Sequence, residues 1–193
     1  MKKYIIALII LASFSFGKLN YYRPISAGIT FGRNIGGSQY EDTKILGVSG
    51  EYKLNPSIGI GMEYKTFHNS PSPDYEEFLT DENISLVSLF MNRYHEFRQF
   101  DNNGVKGMAS VGGASMTIDG YDKIYFMLGI GLQIELADRL NLELSLRDYM
   151  KEFRIPFTSF PEVNVAAIGG GEHYMHFNVN LSMDLGDVKS SND

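Results

Sequence analysis

The sequence predicts an all-β protein, an eight-stranded antiparallel up-and-down transmembrane β-barrel preceded by an N-terminal signal peptide. Three observations support this fold class. Apolar and polar residues alternate along several segments, short and long connections separate these segments, and a short apolar run follows a basic N-terminus. Alternation with a period of two residues indicates strands, because successive side chains of a strand point to opposite faces. The length of 193 residues suits one domain.

The N-terminus is expected to be a cleaved signal peptide. The basic pair Lys2-Lys3 precedes an apolar run over residues 4–12, and the small residues Ser15 and Gly17 stand where cleavage after Gly17 requires them. The run is shorter than the roughly 20 residues of a membrane-spanning helix, so an N-terminal anchor helix is the weaker alternative. The predicted domains are the signal peptide over residues 1–17, the barrel over 18–186 and a polar C-terminal tail over 187–193.

Five strands are predicted before residue 120. They are expected over residues 25–32, 44–53, 57–67, 84–97 and 105–117. The third shows the pattern well, since Ile58, Ile60 and Met62 alternate with Gly59 and Gly61. The fourth is apolar on both faces at first, which leaves its register open, and the fifth is rich in glycine, alanine and serine, which weakens its pattern.

The longest alternations mark three further strands, over residues 124–136, 140–147 and 175–185. We expect the aliphatic face to meet lipid and the other face to line the lumen. The aliphatic face of the first two strands includes Leu128, Leu132, Leu142 and Leu144, and the opposite face includes Gln133 and Ser145.

Glycine residues help to separate a membrane barrel from a soluble sandwich, since both have one apolar face. Gly59, Gly61, Gly129 and Gly131 lie on the face opposite the aliphatic side chains. On a solvated sheet face glycine only weakens a strand. Inside a narrow barrel it leaves room for larger neighbours. The glycine pattern therefore favours the membrane barrel.

The lengths of the connections predict the orientation of the barrel. Residues 54–56 and 137–139 form short connections, whereas residues 68–83 and 150–172 form long ones and residues 34–43 a moderate one. Short periplasmic turns and long extracellular loops are the habit of bacterial outer-membrane barrels. We therefore expect the long loops outside and both chain termini in the periplasm.

Composition excludes several function classes. The net charge is −6 and no basic run occurs, which argues against a nucleic-acid partner. There is no cysteine, and hence no disulfide framework, thiolate metal site or lipidation site. The chain has 12 tyrosines and 13 phenylalanines but no tryptophan, a usable supply for two interfacial aromatic girdles.

Residues 125–186 combine a glycine-rich strand with Gly129 and Gly131, the short turn Ala137-Asp138-Arg139, and a strand that ends Leu146-Arg147-Asp148-Tyr149. In these features the segment resembles the outer membrane beta-barrel domain family, which comprises small OmpA-like eight-stranded proteins of Gram-negative bacteria. One departure is that the last strand ends Met183-Asp184-Leu185 instead of on an aromatic residue. The resemblance implies the fold and an outer-membrane location. It also implies contact with outer-membrane lipid, lipopolysaccharide and the barrel assembly machinery, and we expect a monomer.

Seven ionisable residues are expected to face the lumen: Glu51, Glu63, Lys65, Glu135, Glu143, Arg147 and Asp184. Such charges must pair in a narrow interior, because an isolated buried charge is very costly. We expect a packed polar core that plugs the barrel, with an ion or solute path as the alternative. Arg147 is predicted to lie within salt-bridge reach of Glu143, Glu135 or another inward carboxylate.

No catalytic, cofactor-binding or metal-binding residues are assigned. His173 and His176 are three residues apart in a strand, so they project to opposite faces and cannot chelate one ion. The segment His68-Asn69-Ser70 resembles the His/Ser pairs of small outer-membrane barrels that edit lipid A, but it has no apparent third orienting group. The acidic run nearby lacks the ligand spacing of a calcium loop, which favours a solvated loop over a cation site shared with lipopolysaccharide. Its members are Asp74, Glu76, Glu77, Asp81 and Glu82.

Three function classes follow from this reading. The leading one is a non-enzymatic outer-membrane barrel with a structural role in the envelope or a role in surface contact through its loops. The second is a lipid-modifying barrel enzyme, which requires His68 or His173 to meet a serine at the outer rim. The third is a soluble periplasmic lipocalin-like binder, against which the lack of tryptophan counts.

Overall fold

The structure is a computed structural model that describes residues 21–35, 43–71, 73, 77, 81–97, 104–151 and 173–190. The strands in these ranges are β1 (Tyr21–Tyr22), β2 (Ile25–Asn34), β3 (Thr43–Asn55), β4 (Ile58–Asn69), β5 (Glu82–Glu96), β6 (Val105–Ile118), β7 (Tyr121–Ala137), β8 (Leu140–Met150), β9 (His173–Leu185) and β10 (Lys189–Ser190). The predicted signal peptide and most of the connection after β8 lie outside the described residues.

Strands β2 to β9 form a closed antiparallel barrel in which each strand pairs with its neighbours along the chain, and β2 with β9 completes the circle. The stagger of the strands follows from the register. Stepping from Ile25 to the partner residue on each successive strand leads to Met175, whose carbonyl accepts a hydrogen bond from the amide of Ile35. One circuit therefore advances by 10 residues, from 25 to 35. Eight staggered strands enclose an interior only wide enough for side chains.

The predicted fold class, an eight-stranded up-and-down barrel, is confirmed. The observed strands agree with the predicted ones to within three residues at each end. The largest difference at a strand start is at β7, which begins at Tyr121 because a two-residue turn precedes it. Asp119 and Gly120 form this turn with positive φ angles of 49° and 87°, the conformation that tight hairpins favour.

The open register of the fourth predicted strand is now fixed. On β5, Leu86 and Phe90 are buried inside the barrel, whereas Val87, Leu89 and Met91 are exposed on its outer wall. The strand is apolar on both faces because its distal half faces an apolar part of the lumen. That part also contains Phe67, Met116, Ile118, Tyr125, Met127, Tyr149 and Tyr174. Many of the aromatic side chains thus pack inside the barrel, in addition to those available for girdles on its outer wall.

The two faces of the wall are as predicted. Leu128 and Leu132 are exposed on the outer wall, and Leu142 and Leu144 face outward in the same way, half-buried. Gln133 and Ser145, by contrast, are buried in the lumen. This apolar outer wall is the reverse of a lipocalin-like binder, whose apolar face surrounds a ligand and whose outer wall meets water. The third function class is therefore not supported.

Residues 21 and 190, the first and last that the structure describes, lie at the same end of the barrel, which we call the terminal end; the opposite end is the distal end. The short connections after β3 and β7 are at the terminal end. Beyond the barrel, β1 pairs with β10, with Tyr22 opposite Lys189. Only a polar tail was expected over residues 187–193. No helix among the described residues is long and apolar enough to span a membrane.

Candidate functional site in the lumen and at its rims

The centre of the lumen holds a network of four buried charges. Arg147 on β8 places Nη1 2.5 Å from Glu63 Oε2 and Nη2 3.0 Å from Glu143 Oε1. Lys65 on β4 places Nζ 3.0 Å from Glu63 Oε1. Two cations thus neutralise two carboxylates in the interior. The prediction that Arg147 pairs with an inward carboxylate is confirmed.

Glu63 is the hub of this network because its carboxylate accepts hydrogen bonds from neutral groups as well. Ser88 Oγ donates to Oε1 over 3.0 Å and the Tyr149 hydroxyl donates to the same oxygen over 2.5 Å. The guanidinium of Arg147 lies over the ring of Phe90, with Cζ 4.4 Å from the ring centroid. Ion pairs with the two cations and hydrogen bonds from the two hydroxyls together offset the free-energy cost of removing the Glu63 carboxylate from water.

The topology explains how distant residues meet. Strands β4 and β8 stand opposite each other in the eight-stranded circle, so Glu63 and Arg147 reach toward each other across the lumen. Glycines on the inward face provide the space. A Cβ atom at Gly129 would lie 2.9 Å from Arg147 Cγ, and one at Gly61 would overlap the ring of Phe90. The predicted role of these inward glycines is confirmed.

A second polar layer lies closer to the terminal end. The carboxylate of Glu51 accepts hydrogen bonds from the Tyr94 hydroxyl at 2.6 Å and from Asn92 Nδ2 at 2.7 Å. Ser110 Oγ in turn donates to Asn92 Oδ1 over 2.7 Å. Gly59 stands beside this layer, and a Cβ atom there would overlap the Glu51 carboxylate.

A vestibule of about 200 Å³ opens at the terminal end. Lys53 Nζ and Asp184 Oδ1 are 3.3 Å apart in its wall. Glu135 lines the mouth of the vestibule and is exposed, so it faces the lumen as expected but lies outside the packed polar core. The reason is that its strand, β7, extends past the end of the polar core. Arg23 lies at one side of the vestibule, where its Nη2 donates hydrogen bonds to both oxygens of the Asp138 carboxylate, at 3.1 and 3.2 Å.

The distal part of the lumen is sealed by apolar and aromatic side chains. His176 is fully buried there, with ring centroids 5.0 Å from Phe67 and 4.8 Å from Tyr149. Neither of its ring nitrogens has a hydrogen-bond partner among the described residues. The side chain of His173 lies outside the described part of the chain, so the predicted opposition of the two histidines is not tested. In the ranges that the structure describes, no three His, Asp or Glu side chains group as a metal site would.

The distal rim carries His68 on the outer wall. Its Nδ1 is 3.0 Å from Asn83 Oδ1, and its Nε2 is 3.6 Å from Asp81 Oδ2. No orienting group for the His68-Asn69-Ser70 segment is apparent in the sequence, yet the pairing of β4 with β5 brings Asp81 close to His68. The two ring nitrogens of His68 therefore face side-chain oxygens of Asn83 and Asp81.

The outer wall also bears an apolar groove of about 630 Å³. It extends from Ile58 on β4 to Met175 on β9, and Met91, Ala109, Leu128 and Leu146 are among its lining residues. The groove arises because β6 presents small side chains between longer ones on β5 and β7. An apolar groove on the outer wall suits contact with the hydrocarbon chains of lipid.

Sequence reasoning missed several lumen residues that complete the polar layers. Lys53 follows Glu51 by two residues and Tyr149 follows Arg147 by two, so strand parity alone could have placed both inside. Lys106 and Tyr94 were missed because the patterns of β5 and β6 were weak. His68 and its carboxylate neighbour required the register of β4 and β5, which the sequence left open.

Comparisons with known proteins agree with this architecture. No protein-family model matches the chain, and a search of curated proteins found no match. A de novo designed transmembrane β-barrel has 8% identity and a TM-score of 0.50, over 88% of this chain and 100% of the other. Neisserial surface protein A has 13% identity and a TM-score of 0.49, over 86% and 96%. Ail of Yersinia pestis has 11% identity and a TM-score of 0.49, over 84% and 99%. These likenesses concern the fold alone, and the chain has the fold of the small transmembrane β-barrels.

Proposed function

We propose that the protein is a non-enzymatic outer-membrane β-barrel that serves the envelope structurally or makes surface contacts through its extracellular loops. The observation that carries the proposal is the filled lumen. The ion network around Glu63 and Arg147 occupies the centre, and the cluster that includes Leu86, Met116 and Tyr125 occupies the distal half. Such an interior supports a rigid scaffold.

The outer wall supports the membrane location. Large apolar side chains such as Leu89, Ile130 and Leu181 are exposed along the strands, which is costly in water and favourable in lipid. We place the terminal end in the periplasm and the distal end outside the cell, following the short turns at the terminal end. Export by a cleaved signal peptide over residues 1–17, OmpA-like kinship and insertion by the barrel assembly machinery belong to the same proposal.

The state of the buried charges supports a role without catalysis. Glu63, Arg147 and Lys65 are each engaged by other protein groups and are buried. A catalytic acid or base must reach a substrate atom within hydrogen-bond distance. Charges that are satisfied within a packed lumen stabilise one closed structure instead.

The test combines membrane fractionation, heat-modifiability and conductance. We expect the protein in the outer-membrane fraction, with gel migration that changes after boiling, as for a closed barrel. In a planar bilayer the wild-type protein should show no steady conductance steps, because side chains fill the lumen. Stable steps from the wild-type protein would instead favour the ion or solute path and overturn the sealed scaffold.

A lipid-modifying enzyme is the second candidate, and the position of His68 favours it. This side chain lies on the outer wall at the distal rim, beside the Asp81 carboxylate. Mass spectrometry of lipid A from cells with and without the protein decides between the two. For a non-enzymatic barrel we expect identical lipid A spectra from the two kinds of cells. An altered acyl pattern that wild-type protein produces and the His68→Ala variant does not would establish the enzyme.

A further inference from the structure

We infer that the vestibule at the terminal end binds a small zwitterion, a molecule that carries one ammonium and one carboxylate, as a free amino acid does. This inference goes beyond the proposed scaffold role and does not depend on which side of the membrane the terminal end faces. The feature that points to it is the arrangement of charges in the vestibule wall, where Lys106 and Glu135 stand apart from the ion pairs that the other charges form.

The charged side chains of the vestibule balance one another. Three cations and three carboxylates line it, namely Arg23, Lys53, Lys106, Glu135, Asp138 and Asp184. Lys53 Nζ lies 3.3 Å from Asp184 Oδ1. Arg23 Nη2 lies 3.1 Å from Asp138 Oδ1. A wall without net charge favours a ligand without net charge, because an ion would bring an unbalanced charge into a partly buried space.

The two remaining charges are Lys106 on β6 and Glu135 on β7. Four charged groups act electrostatically on Lys106, namely Lys53, Glu96, Glu135 and Asp184. Neither Lys106 nor Glu135 forms an ion pair with any residue that the structure describes. Lys106 lies opposite Gln133 in the strand register, and Glu135 is two residues farther along β7. Such diagonal neighbours are about 7–8 Å apart at their backbones, so a small ligand can contact both charged groups at once.

The two charged groups lie at different depths, which predicts how the ligand is oriented. Gln133, the register partner of Lys106, is buried, whereas Glu135 is exposed at the mouth. The carboxylate of the ligand therefore belongs at Lys106, where the amide of Gln133 can donate a second hydrogen bond. The ammonium of the ligand belongs at Glu135 and faces the mouth.

The backbone around Glu135 holds this side chain at the mouth. The amide of Glu135 donates to the carbonyl of Gly104 over 3.0 Å. Gly104 has a positive φ of 60°, and a Cβ atom there would lie 2.7 Å from Glu135 Cβ. Glycine thus permits both the turn and the close approach of the two strands. The position of Glu135 follows from this turn and not from a partner of its carboxylate.

Strand β8 adds a buried donor on the same inward face. Asn141 is the register partner of Glu135, and its side chain is buried. Its Nδ2 has no hydrogen-bond partner among the described residues. Buried donors are nearly always satisfied in proteins. The wall therefore has donors in excess, which favours a ligand that brings carboxylate oxygens.

The size of the vestibule limits the ligand. Its volume of about 200 Å³ corresponds to about seven water molecules in the liquid, which suits an amino acid with a small side chain. Tyr22 on β1 and Val188, just before β10, extend the wall beyond the barrel. The inference thereby gives a role to the β1–β10 pair, which lies outside the barrel.

The experiment titrates the folded full-length barrel in detergent micelles with small molecules by isothermal titration calorimetry. L-Alanine is the zwitterion probe. Isobutyrate has a methyl group in place of its ammonium, and isopropylamine has a methyl group in place of its carboxylate. The variants are Lys106→Gln and Glu135→Gln. Lys189→Gln is the matched control, because Lys189 is an exposed cation at the same end that does not line the vestibule.

We expect the wild-type barrel to bind alanine, and to bind isobutyrate and isopropylamine about tenfold more weakly, because each lacks one of the two charges. Lys106→Gln and Glu135→Gln should each weaken alanine binding about tenfold, the usual contribution of a hydrogen bond to a charged group. Lys189→Gln should bind like wild type. No binding of alanine by wild type, equal affinity for alanine and isobutyrate, unchanged binding in both vestibule variants, or an equal loss in Lys189→Gln would each overturn the site.

Heat-modifiability separates this inference from the proposed function. The vestibule variants leave the ion network around Glu63 intact, so they should keep the change of migration on boiling that marks a closed barrel. A heat-modifiable wild-type barrel that does not bind alanine removes the zwitterion site and leaves the scaffold. Alanine binding that is lost in both vestibule variants, while both remain heat-modifiable, establishes the site.

Discussion

Arg147 and Glu63 form a buried ion pair across the lumen, with Nη1 2.5 Å from Oε2 although 84 residues separate them along the chain. The pair joins β8 to β4, which are not neighbours in the barrel. Backbone hydrogen bonds connect only adjacent strands, so contacts of this kind brace the barrel wall against distortion. Glu143 and Lys65 extend the pair to a network of two cations and two carboxylates that carries no net charge.

Replacing Arg147 with alanine should destabilise the barrel strongly. The variant leaves Glu63 and Glu143 buried with one fewer cation, and breaking a buried ion pair from one side costs about 3–5 kcal/mol. The measurement is the urea concentration at which the heat-modifiable form disappears on gels, for protein folded into lipid vesicles. Ser145→Ala on the same strand is the matched control and should stay near wild type. A midpoint for Arg147→Ala that equals the control would contradict a structural role for the network.

Adding a methyl group at Gly59 should be far more costly than adding one at Gly50. A Cβ atom at Gly59 would overlap the Glu51 carboxylate inside the lumen, whereas at Gly50 the nearest atom is Ser26 O at 3.8 Å. Overpacking of a filled interior costs about 1–3 kcal/mol. We therefore expect Gly59→Ala to unfold at lower urea concentration than wild type and Gly50→Ala to unfold near it. Equal midpoints for the two variants would mean that Glu51 shifts aside freely.

Lipid contact should alternate along β8. Leu144 faces outward and Ser145 is buried in the lumen, so a fluorophore attached at residue 144 should be quenched by brominated lipid and one at residue 145 should not. Arginine at Leu142 should cost about 2–4 kcal/mol if this position lies near the bilayer midplane. Quenching that reaches residue 145 but spares residue 144 would reverse the assignment of the faces.

The sequence was sufficient to predict the barrel because the two faces of most strands meet different surroundings, lipid on one side and a polar lumen on the other. Leu128 and Gln133 differ in polarity for that reason, and the period of two is visible without any tertiary information. On β5 the same logic fails, since Leu86 faces the apolar part of the lumen and Val87 faces lipid. Because both faces of β5 meet apolar surroundings there, the sequence shows no difference in polarity between them. Only the pairing with β4 and β6 fixes the register.

The polar core was predictable in kind but not in its connections. Strand parity places Glu63, Lys65, Glu143 and Arg147 inside, yet it does not say which charges meet. The Glu63–Arg147 pair depends on the circular order and stagger of eight strands, which are properties of the closed barrel. The β1–β10 pair escaped prediction for a different reason, because two residues per strand are too few to show a period.

The long loops should carry recognition without supporting the fold. The connection from β4 to β5 begins after Asn69 and ends before Glu82 at the distal rim, and loops on a rigid scaffold tolerate change. Deletion of residues 72–80 should preserve heat-modifiability, because the β4–β5 ladder from Ile58 to Asn69 remains intact. The same deletion should alter any adhesion or envelope phenotype of the cells. Loss of the folded band after this deletion would show that the loop belongs to the scaffold.

Protease treatment of intact cells tests the orientation on which the surface role depends. Cleavage should occur within residues 72–80 or 152–172, which we place outside the cell. The connections at residues 54–57 and 137–139 lie at the terminal end and should be cut only after the outer membrane is opened. Their tightness alone does not protect them, so detergent-opened cells serve as the control for accessibility. Cleavage of intact cells at residues 137–139 with both long loops spared would invert the barrel and remove the proposed surface contact.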